Sequence, residues 1–168
     1  MSSSIIPVLN VLRRFWRNCS ERMRPQDTPR KEDILDQAPL RMFVNGQAMS
    51  GGLISHNLAN ATFIGPAVTA PKYRFYSVRN EFPGLHPVDY GGFPVHGELY
   101  EVTYEILRKH LLPSEPLELE LGVIELDDGS GSLCMQLRED WVGHPDLVDI
   151  SHTGRWREHL RACGLLDA

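Results

Sequence analysis

Between Leu40 and Leu137 the chain is a succession of six or seven short runs rich in β-branched and aromatic residues. Glycine or proline cuts off most of them, and a single helical stretch stands among them. Strands this short expose many edges, and a sheet hides them best by curling or closing on itself. The expected fold class is mixed α/β (α+β): a small curled or closed β-barrel with a short internal helix over residues 39–139, plus N- and C-terminal helices. At 168 residues, 42% of them hydrophobic, the chain can bury one good core. No period of twenty to fifty residues repeats.

Local chemistry sets the runs. Leu40–Val44, apolar except for Arg41, reads as a buried strand that stops in a loop holding Asn45, Gly46, Gln47, Ser50, Gly51 and Gly52. Ile54 to Asn60 has room for one helical turn. Thr62 to Thr69 is β-rich, with Gly65-Pro66 marking a bulge or an edge. Tyr73–Val78 is an aromatic and β-branched strand. Phe82–Leu85 reads as a turn, Leu85–Val88 as a short strand, and Phe93–Val102 as a long one in which Gly97 marks close backbone approach or a bulge. Thr103 is placed to cap a helix over Tyr104–Leu111, which Pro113 ends. Leu117, Leu119 and Leu121 alternate with Glu118 and Glu120, so the leucines take one face of a strand and the glutamates the other. Asp127-Asp128-Gly129 turns the chain into a return strand through Leu133, Met135 and Leu137.

Two segments flank this body. Residues 1–38 are expected to form a basic amphipathic helix over 5–23 and a Pro-containing linker. Residues 140–168 form a tail that is irregular to Ser151 and ends in a short helix over Gly154–Leu165. For the 5–23 helix the first reading is docking, either in a homodimer or on another partner. Contact with an anionic membrane surface and organellar targeting are the others.

Charge divides the chain in the same way. Residues 1–31 carry seven Lys or Arg and two acids, and the remaining 137 residues carry ten basics and twenty acids. The acidic body excludes sequence-independent nucleic-acid binding, since phosphates would be repelled. Cys19, Cys134 and Cys163 are odd in number and far apart, which argues for reduced thiols. The expected compartment is the cytoplasm, with an organelle as the alternative. No spacing of Cys or His matches a zinc site, and no metal or cofactor is expected. No apolar run reaches the length of a membrane span.

The loop after the first strand is the candidate site. Glycine allows close backbone approach, so successive N–H groups can converge on an anion. Its spacing matches neither the dinucleotide-binding nor the P-loop pattern.

Val44-Asn45-Gly46-Gln47-Ala48-Met49-Ser50-Gly51, the block Ala67 to Val78, Val95–Val102 and Leu121–Gly129 together, in this order and spacing, resemble the γ-glutamylcyclotransferase-like superfamily. The nearest branch is the C-terminal domain of allophanate hydrolase. The resemblance covers roughly residues 40–138 and implies a small mixed barrel in which the loop lines the pocket and its N–H groups hold a substrate carboxylate. The matching substrate-binding positions are Asn45, Gly46, Gln47, Ala48, Met49 and Ser50. Cyclotransferases carry Tyr-Gly-Ser-x-Leu here, whereas this chain has Asn45-Gly46-Gln47-Ala48-Met49, which favours the allophanate hydrolase side. The resemblance also implies a glutamate acting as general acid/base between the helix and the following strand. Within Glu118-Leu119-Glu120-Leu121-Gly122, Glu120 is the first choice and Glu118 the second, against the plain alternative that both face solvent. Tyr76, His86 and His96 are possible pocket residues. Cys134 has no neighbouring His in sequence to support a nucleophilic role.

The implied function is that of a small-molecule enzyme acting on a carboxylated nitrogen compound, by decarboxylation of an N-carboxy urea-type species or related C–N chemistry. A γ-glutamyl amine cyclotransferase and a non-catalytic ligand-binding or assembly module are the alternatives.

Overall fold

The structure, a computed structural model, describes residues 39–166. The basic helix expected over 5–23 and the linker to residue 38 lie outside them. The described strands are β1 (Leu40–Val44), β2 (Thr62–Val68), β3 (Tyr73–Val78), β4 (Phe82–Pro87), β5 (His96–Val102), β6 (Leu119–Glu125), β7 (Gly131–Leu137) and β8 (Leu147–Asp149). The helices are α1 (Tyr104–Ile106) and α2 (Trp156–Ala162).

All eight strands join one mixed sheet in the order β2-β5-β1-β7-β4-β3-β8, with β6 also on β7. The sheet is not closed by hydrogen bonds along this order, so of the two expected forms, curled or closed, the closed one is not taken. β2 and β8 end it as edges. β2 leaves register between Phe63 and Gly65, and Gly65 has φ of 155°, which confirms the bulge expected there. A Cβ at Gly97 would lie 2.3 Å from the Val44 carbonyl oxygen, so β5 approaches β1 as closely as only glycine allows.

One feature of the sheet sets up the site. β6 pairs antiparallel with β7 from end to end and occupies one of its edges. The other edge is shared: β1 pairs in parallel at Leu133 and Cys134, and β4 pairs in parallel at Gln136. β1 and β4 therefore diverge from a common neighbour. Met42, Phe43, Phe75, Leu85, Val95 and Leu111 are fully buried in the main core, where Trp156 of α2 joins them. Val78, Leu119 and Leu137 form a smaller cluster with Tyr76, Phe82 and Trp141 against it.

Four local readings differ from the structure, the first being the long strand expected over Phe93–Val102: β5 begins only at His96, and Phe93 makes an isolated bridge to Tyr73. Phe82–Leu85 belongs to β4, and the tight turn is at Arg79 and Asn80, whose φ values are 48° and 58°. The stretch read as irregular contains β8, which pairs with β3 at Tyr76–Val78. The expected alternation of leucines does not make one buried face: Leu119 is buried, while Leu121 and, ahead of β6, Leu117 are exposed. The helix begins as expected, the Thr103 hydroxyl accepting from the Ile106 N–H at 3.2 Å. It then widens to π geometry over Leu107–Leu111 and tightens to a 3-10 turn over Leu112–Ser114, where Pro113 ends it.

Candidate functional site

The divergence of β1 and β4 leaves a cavity of about 170 Å³. β1 supplies Met42, Phe43 and Val44, the following loop supplies Asn45 to Ala48, and β4 supplies Phe82 and Pro83. Cys134 and Met135 of β7 and Ser114, Glu115 and Pro116 after the helix complete most of the wall. Leu53 lines the cavity yet is 79% exposed, which places it at the mouth.

The loop is held from both sides. Gly46 packs on Pro83 so closely that a Cβ would lie 2.6 Å from the ring Cδ. The Gln47 Nε2 donates to the Glu81 carbonyl at 3.0 Å, tying the loop to the start of β4. At its far end the Ser50 N–H and hydroxyl donate to Glu98 Oε2 at 2.7 and 2.9 Å, and Tyr100 donates to the same oxygen at 2.9 Å. Arg157 of α2 pairs with Glu98 at 3.7 Å and donates to the Ser50 carbonyl. Between these anchors the N–H groups of Gly46, Gln47 and Ala48 make no backbone hydrogen bond among the described residues.

Glu115 is the group that sequence reasoning missed. Pro116 pushes it out of the helical region, and it sits extended, with φ of −79° and ψ of 143°, directly after the 3-10 turn. Its carboxyl makes no hydrogen bond or ion pair among the described residues, and burial alone pushes its pKa up to about 7. A carboxyl with that pKa exchanges protons readily at neutral pH. The neighbouring thiol of Cys134 is fully buried, and desolvation followed by the nearby Glu115 charge push its pKa up, so it stays protonated. A thiol held protonated is a poor nucleophile. Among the described residues no Lys, Arg or His lines the cavity.

Of the six loop positions, Asn45, Gly46, Gln47 and Ala48 line the cavity. Met49 is buried in the core and Ser50 serves the Glu98 anchor. Glu118 is turned to Arg79, which donates to it at 2.7 Å and holds its carboxyl below the usual range. Glu120 is exposed, 3.8 Å from Arg138. Tyr76 packs in the smaller cluster. His86 lies 3.2 Å from the Leu137 carbonyl through Nδ1 and 3.2 Å from Glu139 through Nε2. His96 is half-buried, and burial followed by the Arg155 charge lowers its pKa. None of these five is among the lining residues. No group of three or more His, Cys, Asp or Glu among the described residues is arranged to hold a metal ion. No helix among them is long and apolar enough to cross a membrane.

Comparison with known proteins places this architecture. The allophanate hydrolase C-terminal domain profile matches residues 40–161. A uropathogenic E. coli-specific protein is 28% identical with a TM-score of 0.69, over 78% of this chain and 100% of that one. Kluyveromyces lactis allophanate hydrolase is 23% identical with a TM-score of 0.70; the match takes in 86% of this chain but only 24% of that enzyme. An AIG2-like protein from Mus musculus shares the fold at a TM-score of 0.50 and 19% identity, over 64% of this chain and 85% of that one. No curated protein matches the sequence.

Proposed function

The chain belongs to the allophanate hydrolase C-terminal domain family, and on that premise we propose that it decarboxylates a small N-carboxy urea-type compound. The observation that carries the reading is Glu115, a carboxyl with a pKa of about 7 in the wall of a mostly apolar cavity. The unpaired N–H groups of Gly46, Gln47 and Ala48 are the seat for the substrate carboxylate. Apolar walls strip that carboxylate of hydration, which favours its loss as neutral carbon dioxide. The bond between nitrogen and the carboxylate carbon breaks, and its electron pair stays on nitrogen. The protonated Glu115 delivers a proton to that nitrogen, and water then reprotonates the carboxylate it leaves.

Size supports a small substrate. A cavity of about 150 Å³ holds benzene, and the 170 Å³ here fits an N-carboxyurea of similar bulk. A γ-glutamyl amine would extend past Leu53 into solvent. Cyclisation of such an amine is the second reading, and it asks Glu115 to act first as a base. Purified protein is to be assayed for carbon dioxide release from N-carboxyurea and for cyclisation of γ-glutamyl amines, each with Glu115→Gln alongside. Release of carbon dioxide that Glu115→Gln abolishes supports the proposal. Turnover of neither substrate, or full activity in the variant, overturns it.

A further inference from the structure

We propose that Asn45 selects ligands carrying a carboxamide or ureido group, a primary amide nitrogen beside a carbonyl, by pairing its own side-chain amide with it. This deepens the reading above and rests on its taking the cavity as the ligand site. Asn45 lines the cavity and is only 6% exposed. Its Nδ2 is buried with no partner, and Oδ1 has none among the described residues either. A buried amide left unpaired is rare, because each unmade hydrogen bond forfeits the compensation for leaving water.

The remaining polar side chains of the lining are engaged elsewhere. Gln47 donates to the Glu81 carbonyl, Glu81 pairs with Arg79 at 3.2 Å, and Ser114 donates to the Leu111 carbonyl at 2.7 Å while accepting from Asn57 at 2.8 Å. Among the described residues, Asn45 and Glu115 are thus the two polar side chains of the cavity left without a partner. A primary amide offers a donor and an acceptor side by side in one plane. The group that satisfies both at once is another amide, through two reciprocal N–H···O bonds. A ketone or ester satisfies the donor alone.

The test is calorimetric titration at pH 6 with two freshly prepared probes of nearly equal shape. Malonamate carries a carboxamide beside its carboxylate, and acetoacetate has a methyl group in place of the amide nitrogen. The wild type is expected to bind malonamate at least about tenfold more tightly, because a site built for an N–H rejects the analogue that lacks it. Asn45→Leu and Asn45→Ala are expected to lose that preference. Asn45→Leu should melt no lower than the wild type, since it removes an unpaired buried amide. Equal binding of the two probes by the wild type, binding of neither, or a preference retained in both variants overturns the assignment. The reaction and the recognition fail separately. Malonamate preference without carbon dioxide release sinks the decarboxylation and leaves Asn45 in place. Release from N-carboxyurea with unchanged KM in Asn45→Leu sinks the Asn45 role and leaves the reaction.

Discussion

The Arg79 guanidinium donates to the Glu118 carboxylate at 2.7 Å, and this contact turns toward the β3–β4 turn a glutamate that the sequence offered to the cavity. Glu115, three residues earlier, has no such partner and keeps a pKa of about 7. Glu115→Gln is expected to lower kcat by about 10²–10⁴-fold, the usual contribution of a positioned acid or base. Glu118→Gln and Glu120→Gln should stay within about threefold of wild type, since neither removes a group at the reacting atoms. Steady-state kinetics of the three variants on one substrate decide it.

The direction of the pH profile separates the two reactions. Decarboxylation uses the protonated Glu115, so kcat/KM should be flat below neutrality and fall as pH rises through about 7. Cyclisation needs the ionised form to accept the amine proton, so its profile should climb through the same region. A rate profile from pH 5 to 9 reads out which limb is present, and Glu115→Gln should remove it.

Stability carries the same signature. The ordinary pKa of 4.5 for Glu115 rises to about 7 in the fold, so the unfolded chain gives up this proton first as pH increases. The contribution of the neutral carboxyl is fully present below 4.5 and is lost progressively up to about 7. The loss levels off at on the order of 3 kcal/mol. Glu115→Gln should therefore match the wild type at pH 4.5 and exceed it at pH 8. Denaturant unfolding at those two pH values measures the difference.

Two glycines should respond unequally to alanine. At Gly97 the added Cβ meets a backbone oxygen at 2.3 Å, which can move only by parting β1 from β5. At Gly46 it meets the edge of the Pro83 ring at 2.6 Å, on the wall of the cavity. Gly97→Ala should cost about 1–3 kcal/mol or more. Gly46→Ala should cost less but weaken ligand binding. Thermal melts together with probe titration distinguish the two effects.

Much of the framework was readable locally. The bounds of β1 and β3, the bulge at Gly65, the tight approach at Gly97 and the Thr103 cap each follow from neighbours in sequence. The β3–β4 turn was not, because Pro83-Gly84 is a stronger written turn signal than Arg79-Asn80, although the latter pair takes the positive φ angles. The loop lines the cavity as far as Ala48, whereas Met49 and Ser50 turn inward to the core and to Glu98 for reasons of long-range packing. The expected glutamates beside Gly122 do not line the cavity, whereas Glu115, against the end of the helix, does. Ser114-Glu115-Pro116 did mark that end, since a residue before proline leaves the helix. What raises its pKa is burial among segments distant in sequence, which no local pattern records.

The hand-over between β1 and β4 along the edge of β7 bears on how such a protein changes its chemistry. A recess cut into a closed barrel would interrupt its ring of hydrogen bonds. Here the opening falls where one strand stops using that edge and another begins, so main-chain pairing defines the hollow and side chains only furnish it. Substitutions at Asn45 or Glu115 then change what lines the hollow while the main-chain pairing that frames it stays as it is.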